Sequence, residues 1–171
     1  MTIQNSVPAD LPTILALYEN ARQHQREQQT VVIWPEFDVE IIKKEIEENH
    51  QWKIVINGQI ACVWATTLND KAIWEEKDRD DGVYIHRIAT NPDFRGNHFV
   101  KRIVEWAIQY TKDNGRKYVR LDTLGRNTRL VEHYTKSGFD YLGEFKLANT
   151  ASLPLHYQTE PICLLFEIEV G

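Results

Sequence analysis

The stretch Tyr84-Ile85-His86-Arg87-Ile88-Ala89-Thr90-Asn91-Pro92-Asp93-Phe94-Arg95-Gly96-Asn97-His98-Phe99-Val100 decides the fold. Val83 to Thr90 is rich in β-branched and aromatic residues and reads as a strand. Asn91-Pro92 ends it, because proline brings no N–H to a ladder and restricts the residue before it. Beyond the turn the period changes. From Asn97 to Lys112, the residues Val100, Ile103, Val104, Ala107 and Ile108 fall on one helical stripe. Gly115 stops that helix, and Tyr118 to Thr123 is strand-like again.

Working outward, Asn57-Gly58 is a strong hairpin signal between the strands Trp52–Ile56 and Gln59–Thr67. Thr2 to Val7 is a first strand closed by Pro8. Asp10 is the expected N-cap of a helix from Leu11 to about Arg22, with Pro12 in its first turn. Asp38 is the expected cap of a second helix to about Asn49, with Phe37 and Ile42 placed to form a hydrophobic staple. Between these helices, Thr30–Pro35 with Trp34 is apolar for a linker, and lines a pocket or plugs a core. Downstream, Asn127–Ser137 is a short helix stopped by Gly138. Phe139–Leu147 and Ile162–Val170 are closing strands, separated by the loop of Pro154 and Pro161. Strands and helices intermix with hairpin-like neighbours. The fold class is α+β, a mixed and mostly antiparallel central sheet flanked by helices, in one domain spanning 1–171.

Composition excludes several function classes. The chain has 171 residues, a net charge of −5 and 42% hydrophobic residues, enough for a core. Its basic residues are dispersed, which speaks against a nucleic-acid footprint. No apolar run approaches the roughly 18 residues of a membrane span, and the N-terminus has no leader pattern, so a cytoplasmic protein is expected. Cys62 and Cys163 read as buried reduced thiols. The six histidines show no ligand-like spacing with cysteine or carboxylate, so no metal is expected. The run Glu75-Glu76-Lys77-Asp78-Arg79-Asp80-Asp81 reads as a solvated loop, or as an acidic rim that attracts a cationic amine.

Two patterns in register carry a resemblance. The strand ending in Asn91-Pro92 and Arg95-Gly96 is followed by Asn127, Tyr134, Lys136, Gly138 and Phe139. Together with the opening Ala9-Asp10-Leu11-Pro12, this resembles the GCN5-related N-acetyltransferase (GNAT) superfamily. The resemblance implies acetyl-CoA as co-substrate and a primary amine as acceptor, carried by a small molecule or a peptide. It implies that backbone groups of Ile88, Ala89 and Thr90 pair with pantetheine. Arg95, Gly96, Asn97, His98, Phe99, Val100 and Lys101 would form the phosphate loop, since a loop opening a helix presents unpaired N–H groups and the positive dipole end. Asn127 would join the cofactor site. The sequence departs from the family where two small residues are usual, at His98 and Val100. Either His98 points aside or contacts phosphate and the site works, or the chain is a non-catalytic acyl-CoA-binding or sensor relative.

Transfer to an amine requires a neutral nucleophile, a stabilised oxyanion and a protonated leaving thiolate. By resemblance, Tyr134 is the expected general acid; packing on Leu130 and Val131 is its competing role. His86 is the expected base, with Asp122, Glu75 and Glu76 as weaker candidates. Strand alternation sets His86, Ile88 and Thr90 on one face, and helix geometry points His133 away from Tyr134. The apolar strand Ile162–Val170 needs a cover, which suggests a homodimer.

Overall fold

The computed structural model describes residues 1–171. Its strands are β1 (Thr2–Asn5), β2 (Gln51–Ile56), β3 (Gln59–Thr67), β4 (Gly82–Thr90), β5 (Tyr118–Leu124), β6 (Asp140–Lys146) and β7 (Ile162–Glu169). Its helices are α1 (Leu11–Glu27), α2 (Val39–Glu47), α3 (Lys71–Trp74), α4 (Phe99–Asp113), α5 (Thr128–Lys136) and α6 (Leu155–Thr159). The strands form one seven-stranded sheet in the order β1-β2-β3-β4-β5-β7-β6. The pairs β1/β2, β2/β3, β5/β7 and β6/β7 are antiparallel, and β4/β5 is parallel. The α+β reading with a mostly antiparallel sheet holds. No helix is long and apolar enough to cross a membrane.

The chain divides into two compact units, Met1–Thr66 with His86–Phe99, and Thr67–Ile85 with Val100–Gly171. In the first, Asn57 and Gly58 both take positive φ, as a two-residue hairpin turn requires. The core gathers Ile14, Leu17 and Tyr18 of α1 with Ile42 and Ile46 of α2, Val63 and Ala89. Trp34 and Phe37 pack against this cluster, and Trp34 meets Tyr18 and Phe37 edge-on. Trp34 therefore serves as a plug for that core. Asp38 caps α2 as expected, accepting from the Glu40 amide at 2.9 Å. Asp10 stands at the N-cap position of α1 as expected, but its side chain makes no capping hydrogen bond to that helix. It closes a 3₁₀ turn, and its carboxylate accepts from the Val7 amide at 2.7 Å and from the Lys53 ammonium, a stronger partner than a helix amide. Helix α1 runs past Arg22 to Glu27, and Glu19 pairs with Arg22 and Arg26 along its polar face.

In the second unit, Ile73, Trp74, Tyr84, Leu147, Cys163 and Leu165 form the core. Arg120, only 4% exposed, donates to Glu167 at 2.7 Å, Asp81 at 2.9 Å and the Tyr84 hydroxyl at 2.9 Å. A buried guanidinium persists because it is paired this fully. The acidic run is mostly solvent-exposed, as a solvated loop would be, and several of its carboxylates are paired within the chain. Glu75 accepts from the Ala148 amide, Asp78 from the Asp70 amide, Asp80 from Arg116, and Asp81 from Arg120. Strand β7 lies between β5 and β6 and has a partner on both sides. The argument for dimerisation through an uncovered C-terminal strand therefore falls, because the strand order is not the sequence order.

Candidate active site

After β4, a 3₁₀ turn at Pro92–Phe94 leads to Arg95, Gly96, Asn97 and His98, and α4 begins at Phe99. Asn91 sets the turn, accepting from the Asp93 amide at 3.1 Å and donating to the Ile60 carbonyl at 3.0 Å. Gly96 (φ +82°) and His98 (φ +51°) are both left-handed. His98 thus adopts the conformation a glycine would supply, at a cost of about 1 kcal/mol for an L-residue. Its side chain is exposed, as are Arg95, Gly96 and Asn97. The Asn97 amide donates to the Phe94 carbonyl at 2.8 Å and closes the loop on itself. Phe99 is buried, Val100 half-buried and Lys101 exposed. His98 therefore supplies the left-handed backbone that a glycine would, with its imidazole exposed to solvent.

Upstream, Arg87 also has a positive φ, +52°, in the middle of β4. A left-handed residue breaks the two-residue period, so alternation does not carry from His86 through to Ile88 and Thr90. Ala89 is buried in the core of the first unit, and the Thr90 hydroxyl lies 3.7 Å from the Cys62 sulfur. The His86 imidazole is enclosed. That burial, followed by the Arg87 charge, pushes its pKa down to about 3.

In the second unit, Asn127 caps α5, its side-chain oxygen accepting from the Leu130 amide at 3.2 Å. Gly138 (φ +105°) ends the helix, with the Phe139 amide returning to the Tyr134 carbonyl at 3.1 Å. Tyr134 is half-buried and packs on Phe139 and Phe166, ring centroids 6.0 and 5.2 Å away. His133 is exposed, yet its ring meets Tyr134 edge-on at 5.3 Å, so it does not point away. On β5, Asp122 accepts from the Tyr157 hydroxyl at 3.1 Å, and an Asp70 oxygen lies within 4.8 Å. Burial pushes Asp122 up to about 6, with the Tyr157 hydrogen bond opposing it. Asp70 is pushed up to about 8 by burial and then by the charges of Asp122 and Asp78. Two carboxyl groups this close titrate as a coupled pair, with Asp70 the more strongly raised of the two.

The model of the Acetyltransferase (GNAT) family matches residues 15–139, most of the chain. The chain belongs to the GNAT acetyltransferase family. It is 24% identical over 110 residues to an uncharacterized N-acetyltransferase of Bacillus subtilis, YesJ; the match covers 62% of this chain and 61% of that protein. A GNAT-family acetyltransferase from Listeria monocytogenes superposes with TM-score 0.79 at 21% identity, covering 98% of this chain and 94% of the other. YncA of Salmonella typhimurium, solved with acetyl-CoA, superposes with TM-score 0.68 at 14% identity over 99% and 94% of the two chains. These likenesses establish the fold.

Sequence reasoning about this GNAT chain missed Asp70, Tyr157 and the strand conformation of Arg87. Asp70 is brought to Asp122 by the tertiary structure, and Tyr157 sits on the short helix α6, which no periodicity announces. Arg87 carried no signal, because a left-handed arginine inside a strand has no sequence signature.

Proposed function

We propose that the chain transfers an acetyl group from acetyl-CoA to a primary amine by direct attack. The single observation that carries this is the loop ahead of α4, where Gly96 and His98 both take left-handed backbone and Arg95 to His98 lie exposed. The amides of Gly96 to Val100 would hold the pyrophosphate with Arg95 and Lys101 as flanking cations. Ile88, Ala89 and Thr90 would offer backbone groups to the pantetheine arm. Asn127, whose side-chain oxygen caps α5, would offer the cofactor its amide nitrogen.

The thioester supplies an activated acyl carbon. The amine nitrogen bonds to that carbon, the C–S bond breaks, Tyr134 gives the leaving thiolate its proton, and the proton the nitrogen sheds as the amide forms restores the phenol. The ammonium proton must go to a base first. His86, held near pKa 3, is too weak to retain it, whereas Asp122 near 6 suits the task. We therefore assign the base role to Asp122, oriented by Tyr157, with His86 a neutral polar neighbour of the Arg87 bend. The acceptor is a small-molecule or peptide amine.

Calorimetric titration with acetyl-CoA tests the loop. Saturable binding is expected, and no detectable heat at about millimolar ligand would remove the reading. Binding without turnover on any amine would instead support the sensor alternative.

A further inference from the structure

Seven residues other than glycine take positive φ: Gln29, Asn49, Asn57, Glu75, Asp80, Arg87 and His98. Six lie at helix ends, turns or loops, where the chain must reverse. Arg87 alone lies inside a strand. Arginine has no local preference for this region, so the conformation needs support from the surrounding structure, in which its side chain has several partners.

Those contacts are specific. The Arg87 Nη2 bridges both carboxylate oxygens of Glu45 on α2. The side chains of this pair are 18% and 15% exposed. The guanidinium lies over the rings of Phe37 at 5.2 Å and Tyr18 at 5.6 Å. Tyr18 is itself fixed, its hydroxyl donating to Gln51 at 3.2 Å, and Gln51 donates on to the Trp64 carbonyl at 3.2 Å. Glu45 is fixed by the flanking Ile42 and Ile46, both in the core. The bend in β4 is therefore tied to α2 through the side chain of the bent residue.

We propose that Arg87 is a positioning residue: its clamp to Glu45 and the Tyr18–Phe37 rings holds the left-handed bend that aims the backbone of Ile88–Thr90. A left-handed residue redirects the strand after it, and strand irregularities of this kind re-aim groups beside functional sites. The kinetic consequence rests on the acetyl-transfer reading; the conformational one does not. If the backbone of Ile88–Thr90 orients the acyl group, loosening the clamp costs turnover more than cofactor binding.

The test compares Arg87→Ala, Arg87→Gly and Glu45→Gln in the full chain, each checked for folding by its melting temperature. Alanine loses the clamp and resists positive φ; glycine loses the clamp but adopts positive φ freely. Arg87→Ala and Glu45→Gln are expected to lower kcat about tenfold or more, with KM for acetyl-CoA within about twofold. Arg87→Gly is expected to recover a large part of the loss. In parallel, the amide resonances of Ile88, Ala89 and Thr90 are expected to shift in Arg87→Ala and Glu45→Gln, and less in Arg87→Gly. Equal losses in the glycine and alanine variants, or unmoved amides in a folded Glu45→Gln protein, would overturn the proposal. Should the wild-type protein show no turnover, acetyl transfer fails, and the amide resonances still decide the role of Arg87.

Discussion

His98 is where the chain departs from a small-residue phosphate loop, and its conformation gives that departure a physical account. A histidine at φ +51° with an exposed imidazole does what glycine would do, at some cost in stability. His98→Gly is therefore expected to raise the melting temperature by about 2–4 °C, from about 1 kcal/mol of relieved strain, and to leave acetyl-CoA binding equal or tighter. His98→Val should do the reverse in the same titration. For Tyr134, replacement by Phe removes the hydroxyl and keeps the ring against Phe139 and Phe166. Turnover should fall about a hundredfold while acetyl-CoA affinity stays within about twofold. As the proposed base, Asp122 would set the pH dependence. A base pushed up to about 6 is protonated and inactive below that pH, so kcat/KM should climb with pH through about 6. Asp122→Asn should abolish that limb of the profile and most of the rate.

The elements separate structural from chemical roles. Asn127 illustrates this, since its oxygen caps α5. Asn127→Ala should lose about 1 kcal/mol, whereas Asn127→Ser keeps a cap and most of that stability. Acetyl-CoA affinity that falls in the serine variant at intact melting temperature would mark a cofactor contact; unchanged affinity would leave Asn127 as a cap. The same division explains which elements were legible. Asn57-Gly58, Asp38 and Gly138 act through their own backbone neighbourhoods, so the sequence announces them. Asp10 was legible as the N-cap position of α1, but the use of its carboxylate was not, because Val7 and a remote lysine, Lys53, hold it. The placement of β7 between β5 and β6 was invisible because strand order is a property of the sheet. The site was legible in the same proportion. The loop from Arg95 and the helix around Tyr134 show their patterns locally, while Asp70, Tyr157 and the Arg87–Glu45 clamp exist only through tertiary contacts.

For the molecule, the buried carboxyl pair makes stability depend on pH. Asp70 is pushed up to about 8, above its ordinary range, so its proton is bound more tightly in the folded chain than in the unfolded one. Its contribution is fully present below the unfolded pKa of about 4 and is lost as pH rises through about 8. Thermal melts should show wild type falling below Asp70→Asn as pH rises from 5 to 9. A gap of about 1–2 kcal/mol at the alkaline end corresponds to several degrees. Parallel melting curves would show that Asp70 holds no proton. Acetyl transfer itself is tested by the release of free thiol from acetyl-CoA across a panel of primary amines. The expected result is amine-dependent release, lost in Tyr134→Phe and Asp122→Asn. Tight acetyl-CoA binding with no release above the rate without protein, for every amine and peptide amine tried, would contradict it.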